Sequence, residues 1–393
     1  MKKIAVISLE NINNIGDELL GENIEFLIRK IDVKFSIFKI ELFIDKYKLI
    51  RKYILNIIIA KIFFLASDLL PISDMKYIVK NWGFIIKYKL YFERNIKKAD
   101  IVVYAVGMLK YSTQDFSYVF MLINSIAEKY KIPVLMSAMS IETPNTSDWR
   151  YRQLVRAVNC TSVKCITTRD NEEELEVLNK NYLDKKILID NCVVGDPALW
   201  TPDCYSVSRW DISKNDVIGI GLIRLGIYKD YGYSIDEIKL FDFYRKLIEE
   251  LEKRNLKWKL FCNGMEEDYE VGIRLINELG VSRMKLLPRP ENSMELIKLL
   301  SEFRCVLGAR LHSCIISYTF NIPVVGLIWD NKLRAFAKKI DWEEYFIEPE
   351  KLDARLVVEK LLNVSTEKYD SNLYQNLRMS TFENIKKFVK TNI

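Results

Sequence analysis

The sequence predicts an α/β protein with two Rossmann-like lobes and a ligand cleft between them. The chain has 393 residues, which corresponds to roughly two or three domains. Short β-branched runs alternate with helical stretches along it, which is the pattern of parallel sheets covered on both faces. One polar segment, from Pro202 to about Asn215, divides this alternation into two series. The cleft is expected at the carboxyl ends of the strands, where open α/β sheets bind ligands.

The first series predicts an N-terminal lobe over residues 1–200. The apolar run that follows Met1 is too short for a secretory signal, so it is interpreted as the first core strand. The expected strands are 4–8, 34–40, 101–105, 134–137 and 165–168. The expected helices are 18–30, a basic pair within 46–98, 116–129, 149–159 and 172–179.

The second series predicts a C-terminal lobe over residues 215–345, followed by C-terminal helices over 346–393. The expected strands are 217–221, 257–261, 284–287, 305–307 and 324–327. The expected helices are 236–254, 267–279, 293–300, 313–320 and 331–339, with a last helix over about 368–390.

The net charge of +6 is distributed unevenly. Residues 46–98 contain twelve basic and three acidic residues, a local charge of +9, so the remainder sums to −3. The most apolar part of this stretch has Lys61 at its centre, where a lysine costs about 2.5–3.5 kcal/mol in a membrane-spanning helix. Two interpretations stay open: these helices cover the sheet, or they lie on an anionic inner-membrane surface. The stretch has no nucleic-acid recognition motif, so no nucleic-acid partner is expected.

Histidine and cysteine usage excludes several classes of site. The single histidine, His312, rules out sites with two or three histidine ligands, and no metal site is predicted. The seven cysteines are odd in number and include no Cys-x-x-Cys pair, which favours a reducing compartment over a disulfide framework. We therefore expect a cytoplasmic protein, with peripheral attachment to the membrane as the open alternative.

One strand–turn–helix segment combines the strongest chemical signals. A strand ends at Gly308, the turn contains Arg310 and His312, and a helix begins near Ser313. A helix N-terminus attracts anions, and an arginine fork binds carboxylate or phosphate in a bidentate manner. His312 can donate a proton or pair with a charge, and Lys332 follows the next strand at the same rim. The alternative is structural: Arg310 pairs with a carboxylate and His312 caps the helix.

Five motifs follow one another between Ile4 and about Tyr345. They are Asn14-Ile-Gly16-Asp17-Glu18, Thr168-Arg169-Asp170, Gly195-Asp196-Pro197-Ala198, Ile220-Gly-Leu-Ile-Arg224, and Gly308-Ala-Arg310-Leu-His312 followed by Asn321-Ile-Pro323 and Asp330-Asn-Lys332. In this order and spacing the motifs resemble those of the polysaccharide pyruvyl transferase family.

The resemblance implies a fold similar to the GT-B glycosyltransferases and a ketal pyruvyltransferase activity. Pyruvate moves from phosphoenolpyruvate to two hydroxyls of a sugar, in a surface polysaccharide or its lipid-linked precursor. The N-terminal lobe is then the acceptor side and the C-terminal lobe the donor side, with no cofactor. The expected catalytic residues are His312 and Asp17. The expected substrate-binding residues are Arg310, Arg169, Arg224, Lys332, Leu311, Ser313, Asn14 and Gly16.

Several of these residues have a structural interpretation beside the functional one. Asp17 lies in a turn with Gly16 and either handles a hydroxyl proton or caps the first helix. If they do not bind substrate, Arg169 and Asp170 are expected to form an exposed salt bridge, with Asp170 as a helix cap. Asp196 precedes a proline, and this pair of residues predicts a hinge turn.

The chain departs from the family pattern where glycine-rich runs are common. Only Gly107 is present after the third strand, and residues 136–141 contain no glycine. Glycines there would let backbone amides approach a ligand closely, so the departure concerns the acceptor side. Two alternatives follow: a GT-B glycosyltransferase that uses a nucleotide-sugar, or a non-catalytic anion-binding member of the family.

Overall fold

The computed structural model describes residues 1–9, 14–43, 46–113, 115–184, 189–208, 216–364 and 369–393, without the side chains of residues 46–53. The end of the predicted linker, residues 209–215, and Lys368 of the last predicted helix lie outside these residues. The chain forms two compact units. Unit 1 contains Met1–Asn11, Leu20–Asp196 and Met379–Ile393, and unit 2 contains Ile12–Leu19 and Pro197–Arg378.

Unit 1 is built on a parallel sheet. Its strands are β1 (Lys3–Ser8), β2 (Ser36–Glu41), β3 (Ile101–Ala105), β4 (Met108–Leu109), β5 (Val134–Ile141), β6 (Val163–Thr168) and β7 (Asp190–Val193). The strand order is β2-β1-β3-β5-β6-β7, and β4 pairs with the end of β5. Every residue of β3 and β5 is buried, because both faces of a parallel sheet are covered.

Helices connect these strands. They are α1 (Ile15–Ile31), α2 (Lys46–Asp68), α3 (Asp74–Ile96), α4 (Phe116–Lys129), α5 (Trp149–Val158) and α6 (Glu172–Val177). The first residues of α1 belong to unit 2. The last helix of the chain ends in unit 1, where the Thr381 hydroxyl donates to the carbonyl of Gly195 and the Ser380 hydroxyl accepts from its N–H.

Unit 2 contains a second parallel sheet. Its strands are β8 (Val217–Gly221), β9 (Lys257–Phe261), β10 (Cys305–Gly308), β11 (Val324–Leu327) and β12 (Phe346–Ile347), in the order β12-β11-β10-β8-β9. Its helices are α7 (Thr201–Cys204), α8 (Ile227–Asp230), α9 (Glu237–Lys253), α10 (Glu266–Leu279), α11 (Ser293–Ser301), α12 (Leu311–Thr319), α13 (Asn331–Lys339), α14 (Ala354–Asn363) and the start of α15 (Ser371–Asn392). The predicted α/β class with parallel sheets is confirmed.

The predicted strand over 284–287 is wrong. Residues Arg283–Lys285 form a 3₁₀ turn, and only Leu286 bridges to Leu260 of β9. Pro288 and Pro290 follow immediately, and a proline removes the N–H that a sheet ladder requires. A strand therefore cannot continue there.

Both sheets reverse their strand order at a defined point. In unit 1 the chain passes from β1 to β2 on one side and returns to β3 on the other, and in unit 2 it does the same around β8, between β9 and β10. Ligands of open α/β sheets bind outside the carboxyl ends of strands at such switch points. In unit 2 the segments that follow β8 and β10 contain Arg224, Arg310 and His312.

The basic stretch forms two long antiparallel neighbours, α2 and α3, within unit 1. The Asn56 amide of α2 donates to the carbonyl of Ile86 in α3 at 3.0 Å, and Ala60 and Ser67 are buried in this contact region. None of the helices in the described part of the chain combines the length and apolarity that a bilayer span requires.

Candidate functional site

The segment after β1 begins a helix earlier than its sequence predicts. α1 starts at Ile15, so Gly16 and Asp17 lie in its first turn and not in a loop. The side chain of Asn14 accepts from the N–H of Gly16 at 3.2 Å and donates to Asp17 Oδ2 at 2.9 Å. The interpretation of Asp17 as the helix cap is therefore wrong, because the Asn14 amide makes the capping bond. Asp17 is buried.

Gly16 lies directly against the imidazole of His312, and both residues belong to unit 2. A Cβ placed on Gly16 would be 2.0 Å from Nδ1 of His312 and 2.7 Å from its Cγ. Such distances are far below van der Waals contact, so only glycine fits at position 16 while His312 keeps this place. Two motifs almost three hundred residues apart in the chain therefore meet at one point.

His312 lies in the first turn of α12 and is 8 % exposed. Arg310 occupies the N-cap position with extended backbone, so the expectation that His312 caps the helix is wrong. Leu311 and Ser313 flank His312, and the Ser313 hydroxyl donates to the carbonyl of Arg310 at 2.7 Å. The Ser313 hydroxyl thus makes its hydrogen bond within the turn. The first-turn N–H groups of α12 have no acceptor within the helix, as at any helix N-terminus.

Arg310 forms a bidentate pair with Asp268 in the first turn of α10. Nε donates to Oδ2 at 2.9 Å and Nη2 to Oδ1 at 2.8 Å, and the Asp268 side chain is fully buried. Burial lowers the pKa of Arg310, but the Asp268 carboxylate raises it further, so the net shift is upward and the guanidinium stays charged. Among the described residues no acceptor bonds Nη1, and the side chain remains 18 % exposed.

Asp268 also fixes the segment that contains Arg224. Its Oδ1 accepts the backbone N–H of Arg224 at 2.8 Å. The Arg224 guanidinium is 36 % exposed and pairs with Asp230 of α8. One buried carboxylate therefore ties the segment after β8 to the turn after β10. The sequence did not single out Asp268, because its acidic run at the start of α10 is typical of any helix N-terminus.

Aromatic rings and Lys332 complete this edge of unit 2. The indole of Trp329 donates to the carbonyl of Ala309 at 2.6 Å, and the Arg310 guanidinium lies 5.7 Å from the ring centroid. Tyr231 packs edge-on against Trp329 at 4.9 Å, and burial followed by the Asp330 carboxylate raises its pKa. Lys332 lies in the first turn of α13 with Nζ 4.0 Å from Asp330 Oδ2, and its side chain is 15 % exposed.

The structure places Arg169 in unit 1, in a buried ion pair. Its Nη1 donates to Oδ2 of Asp196 at 2.6 Å, and the two side chains are only 4 % and 6 % exposed. Gly107, at φ +68°, packs against this guanidinium, since a Cβ there would be 3.0 Å from Nη1. Asp196 is thus an ion-pair partner as well as the residue before Pro197.

The alternative hypothesis that Arg169 and Asp170 form an exposed salt bridge is wrong. Asp170 is buried and accepts from the Ser140 hydroxyl, and Asn171 caps α6 by accepting from the N–H of Glu174. Nearby, Ala138 adopts a left-handed φ of +52° where β5 shifts register against β6. Ala138 lies in the stretch 136–141, which contains no glycine, and its N–H donates to the Thr167 hydroxyl at 2.8 Å.

Removing Asp196 should destabilise the protein strongly. The Asp196→Ala variant leaves the buried Arg169 guanidinium without its carboxylate, which costs about 3–5 kcal/mol. Urea denaturation checks the free energy of unfolding, with Glu176→Ala as the control because its pair with Lys180 is exposed. Equal unfolding midpoints for the two variants would contradict a buried ion pair.

The described residues contain no group of three or more His, Cys, Asp and Glu side chains arranged to hold a metal ion. The seven cysteines, all within the described part of the chain, form no disulfide with one another. The carboxyl edge of the unit 2 sheet has three cationic side chains (Arg224, Arg310 and Lys332), the imidazole of His312 and the N-terminal turn of α12. This set suits a ligand with more than one anionic group.

Comparison with known proteins gives the family. The sequence model of the polysaccharide pyruvyl transferases matches residues 14–331, most of the chain. The chain belongs to the polysaccharide pyruvyl transferase family. It is accordingly a transferase. The five motifs that carry the resemblance lie within the matched range, except that Lys332 of the last motif lies one residue beyond it. No protein among those with curated descriptions matches it.

Solved structures show that this pyruvyl transferase family member has a GT-B fold. It resembles the UDP-GlcNAc 2-epimerase from Methanocaldococcus jannaschii, with a TM-score of 0.57, 14% identity and 99% of each chain covered. It also resembles the α,α-trehalose 6-phosphate synthase from Burkholderia multivorans, with a TM-score of 0.54, 9% identity and 99% and 98% of the chains covered. At this identity the likeness shows the fold alone.

Proposed function

We propose that the chain is a phosphoenolpyruvate-dependent ketal pyruvyltransferase. It moves the pyruvyl group onto two hydroxyls of a sugar in a surface polysaccharide or its lipid-linked precursor. The observation that supports this most is the contact of Gly16 with His312, which joins the first and last family motifs beside Arg310. Family membership supports pyruvyl transfer to a polysaccharide. Phosphoenolpyruvate is the donor that the resemblance implies, and the cationic groups of the site suit it.

The donor is a small trianion whose phosphate and carboxylate need several cations. Arg310 is held by Asp268 through Nε and Nη2, which leaves Nη1 and the second Nη2 hydrogen to a ligand. Lys332, Arg224 and the first N–H groups of α12, among them those of Leu311 and Ser313, add positive potential at the same edge of the sheet. Arg169 stays a predicted donor-binding residue, and its pair with Asp196 supports a structural role in unit 1.

The reaction begins with protonation of the methylene carbon of the donor. The carbon that bears the phosphate then develops oxocarbenium character, and a sugar hydroxyl adds to it and loses its proton. The bond between this carbon and the phosphate oxygen then breaks, and the second hydroxyl adds to the carbon and loses its proton to the departing phosphate, which closes the cyclic ketal. His312 donates the first proton or pairs with the phosphate, and either role contributes about 10²–10⁴-fold. Asp17, oriented by Asn14, is the proposed acceptor of the hydroxyl proton.

Replacing Arg310 with lysine should weaken donor binding. Lysine keeps the charge but loses the fork that binds Asp268 and an anion at once. We expect KM for phosphoenolpyruvate to rise at least about tenfold, because a charge-assisted bidentate contact is worth about 1.5–3 kcal/mol. Steady-state kinetics with varied donor checks this. An unchanged KM would exclude Arg310 from the donor site.

Phosphate release tests the proposed function directly. The purified protein is incubated with phosphoenolpyruvate and a panel of glycans that offer neighbouring or 1,3-related hydroxyls, and inorganic phosphate is measured. We expect release that requires both donor and acceptor and is lost in His312→Ala. Thermal shift with phosphoenolpyruvate and with UDP is the companion measurement. Stabilisation by UDP alone, with no phosphate released, would refute the proposal.

A further inference from the structure

The helix pair of unit 1 exposes an apolar surface. On α2 the most exposed apolar side chains are Ile54, Leu55, Ile58, Ile62 and Leu65, and Leu69 follows directly after the helix; each of the six is between 53% and 88% exposed. On α3, Trp82 is 54% and Leu90 is 48% exposed. We name this surface, formed by these eight side chains, the α2–α3 apolar face.

The five α2 residues form one stripe. At about 100° per residue their positions fall within an arc of about 100°, along about 17 Å of helix. The buried residues Ala60 and Ser67 lie on the opposite side of α2, the side on which Asn56 bonds α3. Phe63 and Phe64 of α2 pack against Gly83 of α3, so α2 is apolar both where it packs and where it faces water. A solvent-facing helix surface is normally polar, and a continuous exposed apolar patch marks a surface that binds something.

Charge distinguishes the possible occupants of this face. The segment 46–98 has a formal charge of +9, and residues 54–98, whose side chains the structure describes, contain eight basic and three acidic residues, a charge of +5. Lys61 borders the stripe on α2 and Lys89 precedes Leu90 on α3, and both are exposed. The acidic residues Asp74 and Glu93 are paired with Arg152 and Lys129, and Lys80 is paired with Asp115; all three partners lie outside this segment. A second copy of the chain would oppose two strongly positive surfaces, whereas anionic headgroups would neutralise this one.

We propose that the α2–α3 apolar face docks on an anionic lipid bilayer. α2 lies in the plane of the headgroups, with its apolar stripe among the upper acyl carbons and Lys61 at phosphate level. The half-exposed indole of Trp82 sits at the same boundary, where tryptophan is enriched in membrane proteins. The attachment is peripheral and stands independently of the proposed pyruvyl transfer, although it would bring the enzyme to a lipid-linked acceptor.

Vesicle sedimentation tests the proposal with the full chain. The wild type is mixed with phosphatidylglycerol/phosphatidylcholine vesicles and with phosphatidylcholine vesicles, at low and high salt. The double variant Ile58→Glu with Ile62→Glu places two carboxylates in the stripe. The control is Ile238→Glu, since Ile238 of α9 in unit 2 is also an exposed isoleucine, at 79% against 53% for Ile58 and 63% for Ile62. A second variant, Lys61→Glu with Lys89→Glu, tests the charge alone, and circular dichroism verifies that each variant folds.

We expect the wild type and Ile238→Glu to sediment with anionic vesicles and to be released by salt. The isoleucine double variant should bind at least about tenfold more weakly, and the lysine double variant should lose its preference for anionic lipid. No binding of the wild type to anionic vesicles, or equal binding by the isoleucine double variant, would overturn the proposal. The proposal would also be overturned if the wild type formed a dimer and did not bind vesicles, and if the isoleucine double variant were monomeric. His312→Ala should bind vesicles as the wild type does, so a failure of the catalytic proposal would leave this result standing.

Discussion

His312→Ala should lower the turnover of pyruvyl transfer by about 10²–10⁴-fold, because the chain has no second imidazole to take over the role. His312 lies at the N-terminus of α12 beside Arg310, where a donor phosphate is expected. The substitution removes a mostly buried ring without disturbing the Arg310–Asp268 pair. The thermal midpoint should therefore change little relative to the loss of rate.

Separate measurements of binding and turnover distinguish the two roles of His312. If it is the general acid, kcat falls while the Kd for phosphoenolpyruvate stays constant, in both His312→Ala and His312→Gln. If it pairs with the phosphate, Kd rises in His312→Ala and His312→Gln restores part of the binding through its amide. Full activity of His312→Ala would remove His312 from the mechanism altogether.

Gly16→Ala should reduce activity by at least about a hundredfold through displacement of His312, because misplacing a reacting group by about 1 Å can cost that much. A Cβ at position 16 would lie 2.0 Å from Nδ1 of His312, so the ring or the first turn of α1 must move. Gly16 has no positive φ, and alanine is the better helix former by about 1 kcal/mol. The loss therefore comes from the clash and not from backbone strain or helix propensity.

A double-variant comparison shows whether Gly16 acts through His312. Gly16→Ala added to His312→Ala should cause no further loss, since the group it displaces is already absent. Gly226→Ala is the matched control, because a Cβ at that helix N-cap meets only ordinary contacts, at 3.4 Å from Glu237 and 3.5 Å from Arg224. Near-wild-type activity of Gly16→Ala, or a loss that adds fully to that of His312→Ala, would contradict this account.

The elements that could be predicted from sequence are those with strong local signals. The helix over 116–129 and the strands over 217–221, 257–261 and 324–327 have the predicted bounds. Strands β7 and β12 were not predicted, because one is polar and the other has two residues. Their existence depends on pairing with β6 and β11, and that pairing is a property of the tertiary fold.

For the site residues too, the sequence predicts what local signals determine and misses what depends on tertiary packing. Parallel strands with polar turns at their carboxyl ends located Arg224, Arg310, His312 and Lys332 at one edge of a single sheet. The partners of these residues could not be predicted, because Asp268 and Asp196 reach their arginines only through tertiary packing. The close approach of Gly16 to His312 could not be predicted either, because the motif identifies the glycine but not the residue that it contacts.

Transfer carried out in deuterium oxide tests the central claim most directly. The proposed reaction converts the methylene of phosphoenolpyruvate into a methyl group with one hydrogen from a solvent-exchanged acid. Mass spectrometry and NMR of the glycan product should show a pyruvate ketal with one deuterium in its methyl group, formed in step with inorganic phosphate and absent with His312→Ala. A ketal methyl without deuterium, or a glycan left unmodified by every acceptor and donor combination, would contradict the account.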